Sequence, residues 1–133
     1  RMGVSRDAPA MNVAYKLTEY AGTGRTKLSP GKEILPGRKQ VFRIEENGRA
    51  VRDVIARHDE AVPGRPLLRK VMEGGRRLPE GHESLEDARA RARDELTRLP
   101  DPVRALEPAV PPYPVEISER LRRDQREVAA RYH

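Results

Sequence analysis

The sequence predicts an α+β chain: an antiparallel, strand-rich first half, then two main helices separated by a proline-rich connector. Three observations predict it. Period-two alternation recurs up to about residue 72, broken by Pro-Gly and Asn-Gly turns. A helical apolar stripe replaces it after residue 80. Six prolines crowd positions 100–114, which favours an extended connector over a core element.

The elements follow in order. Residues 12–20 alternate, with Val13, Tyr15 and Leu17 opposite Ala14, Lys16 and Thr18, types that suit a half-buried pleat. Gly22 and Gly24 punctuate this strand, and residues 25–28 read as the returning arm of a hairpin. Ser29-Pro30-Gly31 and Pro36-Gly37 are turns, because proline presets φ and glycine tolerates positive φ. Residues 39–44 form the next strand, with Gln40, Phe42 and Ile44 opposite Val41 and Arg43. Asn47-Gly48 is a strong hairpin signal. Residues 50–56 pair back across it, with Val51 and Ile55 sharing a face. Residues 67–72 add one more strand before Gly74-Gly75.

Ser84 and Asp87 form a capping box that opens the first helix. Leu85, Ala88, Ala92, Leu96 and Leu99 make its apolar stripe, and Asp87–Arg91 and Asp94–Arg98 are acid-first i,i+4 pairs. Pro100 ends the helix. Asp101-Pro102 starts a short one, with proline at the first helical position. Ser118 caps the last helix, where Leu121, Val128 and Tyr132 form a sparse stripe. Two parts result: residues 1–80, β-rich, and residues 81–133, a helical tail with its connector at 100–114.

Composition limits the function. The 133 residues carry 27 Lys plus Arg against 21 Asp plus Glu, a net charge of +6. Leu, Ile, Val and Phe make up about a fifth of the chain, and tryptophan is absent. That sits where burial barely offsets chain entropy, so a thin core or an external support is expected. The absence of cysteine excludes a disulfide scaffold, a thiolate zinc site and a cysteine nucleophile. No apolar run approaches the roughly 20 residues of a membrane helix, and no basic-then-apolar start resembles a signal peptide. A cytoplasmic protein is the simpler expectation. The opening at Arg1 suggests a piece of a longer polypeptide.

The charge is concentrated. Between Lys16 and Arg43 stand Lys16, Arg25, Lys27, Lys32, Arg38, Lys39 and Arg43, against only Glu19 and Glu33. Two turns there place backbone N–H groups beside cations, a combination that can hold phosphate. Lys27, Lys32 and Lys39 are the candidate phosphate-facing residues; the plainer reading is a solvated sheet face. A P-loop is excluded, since Thr26 and Glu33 stand where it needs Gly and Ser or Thr. A dinucleotide fingerprint from Gly22 fails at Lys27. His58, His82 and His133 lie near carboxylates without a metal spacing; His82-Glu83 lacks a second histidine at Glu86. No complete catalytic or metal site is legible, so catalytic and metal residues are expected to be none. Few aromatics and no recognition-helix pattern make nucleic-acid binding a poor fit.

One motif order is specific. Gly3-Val4-Ser5-Arg6-Asp7-Ala8-Pro9 precedes Tyr15-Lys16-Leu17-Thr18-Glu19-Tyr20, then Lys27-Leu28-Ser29-Pro30-Gly31-Lys32 and Pro36-Gly37-Arg38-Lys39-Gln40-Val41-Phe42-Arg43. Asp53-Val54-Ile55, Pro63-Gly64, Leu67-Leu68, Val71-Met72 and Gly74-Gly75-Arg76-Arg77 follow. This succession resembles the C-terminal region of bacterial nicotinate phosphoribosyltransferases. Thr23-Gly24, Met11 and Glu33-Ile34 depart from the family's usual pattern there. The resemblance implies a fragment of a type II phosphoribosyltransferase that lacks the α/β barrel, with the phosphohistidine and nicotinate-stacking residues elsewhere. It implies an enzyme that forms nicotinate mononucleotide from nicotinate and phosphoribosyl pyrophosphate with ATP hydrolysis. Mg²⁺ and ATP would belong to the full-length enzyme, with no cofactor held by this chain. The implied partners are the barrel domain and a second subunit, in a homodimer or swapped oligomer, and the fragment alone is expected to be inactive. Two other classes remain open on sequence: a standalone basic module for RNA or another polyanion, and a structural interaction domain.

Overall fold

The computed structural model describes residues 15–29 and 31–131. Expectations placed on residues 1–14, Pro30, Tyr132 and His133 lie outside them. Strands β1 (Glu19–Tyr20) and β2 (Thr23–Gly24) pair antiparallel around Ala21-Gly22. Both turn residues have positive φ, 49° and 71°, which matches the twist of a two-residue hairpin. The returning arm therefore starts at Thr23, two residues before the expected 25–28, and residues 15–18 form no ladder. Gly24 lies under Pro36, where a Cβ would come within 3.0 Å of the ring.

The main sheet is built on β3 (Lys39–Glu46) and β4 (Arg49–Arg57), joined at Asn47-Gly48 with φ of 50° and 76°. Glu46 opposes Arg49 and Glu45 opposes Ala50. The register then shifts, so that Ile44 meets Arg52 and Arg43 meets Asp53. Val51 is thus the extra residue of a bulge, and it re-aims every pair beyond it. The buried residues of β4 are Ala50, Asp53, Val54 and Ala56, while Val51 and Ile55, read as sharing a face, are both half-buried.

Strand β5 (Arg65–Pro66) adds to the outer edge of β3. The strand expected at 67–72 instead splits, because Gly74-Gly75 is itself a tight turn with φ of 53° and 77°. It joins β6 (Met72–Glu73) to β7 (Arg76–Arg77) as a separate hairpin. A 3₁₀ turn at Pro79–Gly81 leads to helix α1 (Leu85–Arg98). Ser84 Oγ accepts from the Asp87 N–H at 3.1 Å, as the capping box requires. Helix α2 (Asp101–Arg104) follows Pro100, with Pro102 one position deeper than expected. Just past the 100–114 connector, in the part expected to be helical, β8 (Val115–Ile117) joins the sheet beside β4, and it runs parallel. The sheet order is β5-β3-β4-β8, so the sheet is mixed and the 81–133 part contributes a strand as well as helices. Helix α3 (Glu119–Ala130), capped by Ser118 Oγ on the Leu121 N–H, packs on β4.

The apolar core is small. Among the described residues it is Ala50, Val54, Ala56, Leu121 and Val128. Of the stripe expected on α1, no member is buried, and Leu85 is 86% exposed. Helix α1 is tied to the sheet by polar contacts instead: Glu95 takes both terminal nitrogens of Arg65 at 2.9 Å.

Candidate functional site

The two basic turns form as expected, but their amide donors are occupied. In the first, the Lys32 N–H donates to the Ser29 carbonyl at 3.0 Å and the Gly31 N–H to the Glu33 carboxylate at 3.3 Å. In the second, the Gly37 N–H donates to the Thr18 carbonyl and the Arg38 N–H to Glu19 Oε2 at 3.1 Å. The chain's own carboxylates thus sit where a phosphate oxygen would. Lys27 and Lys32 are exposed. Lys39 is half-buried, and its Nζ donates to the carbonyls of Leu35, at 2.8 Å, and Gly37. Burial lowers its pKa, with the Glu19 charge partly offsetting that. Its ammonium therefore staples the 35–37 turn to β3.

Two clefts flank the sheet. The first, about 350 Å³, lies between the β1–β2 hairpin, the Pro36–Arg38 turn and α3, and is lined by Glu19, Arg57, His58, Asp124 and Arg131 among others. Arg57 spans it, donating to Asp124 at 2.5 Å and to Asp59 at 3.0 Å. The second, about 520 Å³, lies between β5, the 67–83 segment and α1, and includes Arg43, Arg65, His82, Glu83, Arg91 and Glu95.

A chain of charges runs beside the second cleft. Asp53, only 8% exposed, accepts Arg43 through Nε and Nη2, both at 2.9 Å, and the Tyr113 hydroxyl at 3.1 Å. Arg43 lies 3.7 Å from Glu95. Arg65 bridges Glu95 and Glu45, while its Nε is buried with no hydrogen-bond partner. The network joins β3, β4, β5, α1 and the connector, and sequence reasoning missed it. Its one legible trace was the excess of arginines and carboxylates on neighbouring strands.

The electrostatics bear on chemistry. Hydrogen bonds from Arg65 hold Glu95 below the usual carboxylate range, and those from Arg91, Arg57 and Lys70 do the same for Glu83, Asp59 and Glu73. A general acid needs the opposite shift. The Tyr113 hydroxyl is pushed up to about 12, by burial first and then by the Asp53 charge. These groups brace the fold. No cluster of three metal-ligating side chains occurs among the described residues. His58 and His82 border different clefts.

Comparison with known proteins agrees with this architecture. Residues 64–125 match the family model described as the nicotinate phosphoribosyltransferase C-terminal domain. The chain is 48% identical over 118 residues to nicotinate phosphoribosyltransferase pncB2 from two strains of Mycobacterium tuberculosis, CDC 1551 / Oshkosh and ATCC 25618 / H37Rv, covering 89% of this chain. It superposes on the crystal structure of human nicotinic acid phosphoribosyltransferase with a TM-score of 0.71, at 28% identity over 86% of this chain. In each case it spans 26% of the relative's length. The mixed sheet, its parallel edge strand and the capped helices thus occur in a chain that is similar, over most of its length, to nicotinate phosphoribosyltransferases and matches their C-terminal domain over residues 64–125.

Proposed function

We propose that this chain is the C-terminal quarter of an enzyme that joins nicotinate to the phosphoribosyl group of phosphoribosyl pyrophosphate, and that its role is to brace the barrel that carries the chemistry. The observation that carries this reading is the imbalance of apolar surface. Among the described residues the buried apolar side chains are Ala50, Val54, Ala56, Leu121 and Val128 together with Pro36, while Tyr15, Tyr20, Leu68, Leu85, Leu96 and Leu106 are among the large ones left exposed. A fold with so little interior relies on a neighbour to cover such surface. The relatives, of whose length this chain spans 26%, have room for one.

In this reading ATP, Mg²⁺ and both substrates bind the larger part, in the cytoplasm, and a second subunit completes the assembly. Lys27 and Lys32 face its phosphates as exposed point charges. Lys39 adds charge but not a free ammonium, since that group is spent on two carbonyls. The test is a chimera in which this chain replaces the matching segment of the mycobacterial relative. Retained synthesis of nicotinate mononucleotide supports the reading. A folded chimera without it, or turnover by the 133-residue chain alone, refutes it. Within an active chimera, Lys27→Met and Lys32→Met are expected to raise KM for phosphoribosyl pyrophosphate, and unchanged KM values would remove the two lysines from the site.

A further inference from the structure

Helix α1 leaves part of its apolar stripe, Leu85, Ala92 and Leu96, exposed beside the sheet-facing side. At 3.6 residues per turn, Leu85, Ala92 and Leu96 stack in one narrow sector. Leu85 is 86% exposed and Leu96 54%. The sheet side of the helix carries Ala88, Glu95 and Leu99, all half-buried. On the outer margin of the stripe stand Arg89 and Arg93. Neither has an ion-pair partner among the described residues, whereas Arg91 and Arg98 on the same helix are paired with Glu83 and Asp94.

From this we infer that the outward face of α1, Leu85–Ala92–Leu96 flanked by Arg89 and Arg93, is a docking seat for an apolar surface with an acidic rim on the larger part of the enzyme. The inference rests on the proposed function and adds which face makes the contact and what chemistry it meets. Charge argues against a second copy of this chain as the occupant. A two-fold antiparallel pairing of the stripe with itself would set Arg89 of each copy beside Arg93 of the other, a like-charge contact. The three quarters of the relatives' length that lie outside this chain supply an alternative surface. Carboxylates there would neutralise both arginines while Leu85 and Leu96 lose their exposed area.

The chain has no cysteine, so Leu96→Cys introduces a reporter that sits on the stripe without touching the core. Alkylation at residue 96 is followed by mass spectrometry in the isolated chain and in the mycobacterial chimera, with Arg123→Cys on α3 as the reference. Leu85→Cys reports on the other end of the stripe. The expected result is labelling slowed about tenfold or more at 85 and 96 in the chimera, with position 123 unchanged, and protection lost when Arg89 and Arg93 are both replaced by Glu. Because the readout does not depend on turnover, an inactive chimera with both reporters protected supports the seat while refuting the functional reading. An active chimera in which both label at the isolated-chain rate overturns the seat and leaves that reading standing. Equal protection at position 123 also overturns it. So does protection that grows with the concentration of the isolated chain, which assigns the face to a second copy.

Discussion

Replacing Asp53 by Asn tests whether the arginine–carboxylate network holds the sheet together. The substitution keeps the size and shape of the side chain and lets Oδ1 still accept from Tyr113. It removes the charge that balances Arg43, whose side chain is only 14% exposed. Two unit charges about 4 Å apart attract by about 4 kcal/mol at the effective dielectric of a partly wet site. The remaining Glu95, 3.7 Å from Arg43, recovers part of this. Residual solvent access recovers more, so the net loss is about 2–3 kcal/mol, below the ceiling for a fully buried pair. Asp53→Ala also strips the acceptor from the Tyr113 hydroxyl, adding about 1 kcal/mol. The assay is urea unfolding of the chain followed by far-UV circular dichroism, with the slope required to stay constant. A cycle of Asp53→Asn with Arg43→Met isolates the pair. If Asp53→Asn lies within about 0.5 kcal/mol of the parent, or the two changes simply add, the network is decoration and the reasoning fails.

Gly64→Ala is expected to destabilise by about 2 kcal/mol or more: Gly64 has φ of 140°, and a Cβ there would lie 2.7 Å from Ile44 Cδ1 and 2.9 Å from the Arg43 carbonyl. The same urea titration checks it, and an unchanged midpoint would show that β5 is not held against β3 by this close approach. Lys39→Met leaves the carbonyls of Leu35 and Gly37 without their donor and should cost about 1 kcal/mol, whereas Lys32→Met should fall within about 0.5 kcal/mol of the parent; equal costs would contradict the staple assigned to Lys39. Tyr113 has a folded pKa raised from 10.0 to about 12. Between these values the folded state holds the proton that the unfolded state has released, so stability is intact below pH 10 and declines from there towards pH 12. Tyr113→Phe should flatten that decline; an identical alkaline profile in the variant would mean the hydroxyl is perturbed neither by its burial nor by Asp53.

Local signals carried most of the elements. Asn47-Gly48 marked the central hairpin, Ser84 and Ser118 capped their helices by the expected bonds, and Leu121 and Val128 are buried as their spacing suggested. What stayed hidden was set by tertiary events without a local trace. Counting back from the Asn47-Gly48 turn alone sets Arg43 opposite Arg52. The bulge at Val51 moves it one place to Asp53, which turns a like-charge clash into a buried ion pair. Strand β8 follows a proline-rich run that reads as linker, and its pairing is flanked by two bonds that spacing does not show: the Asp53 N–H to the Pro114 carbonyl at 3.0 Å and the Ser118 N–H to the Ile55 carbonyl at 2.9 Å. In the basic segment the cations were countable from sequence, but the donors of the two turns were not. Glu19 and Glu33 take amides there that spacing had left open for a phosphate.

The stripe on α1 was legible in sequence, yet its orientation was not, and the reason bears on how this fold is stabilised. An amphipathic helix normally turns its apolar side to the core. Here the core can offer α1 little: the sheet face it reaches presents Arg43 and Arg65, which already hold Asp53 and Glu45, and packing leucine over those ion pairs would desolvate charge without adding a partner. Glu95 on the helix adds a carboxylate to both, at 3.7 Å and 2.9 Å, so the helix is rotated to bring that carboxylate inward, with Leu99 half-buried beside it and Leu85 and Leu96 left exposed. The two demands conflict within this chain. They are reconciled only if the leucines are covered from outside, which makes the polar network and the exposed stripe two consequences of one arrangement. Replacing Glu95 with Gln should therefore loosen α1 in the isolated chain and do so less in the chimera, where the outer contact also holds the helix. Amide exchange along Leu85–Arg98 distinguishes the cases, and equal loss of protection in both would break the link between the inner network and the outer face.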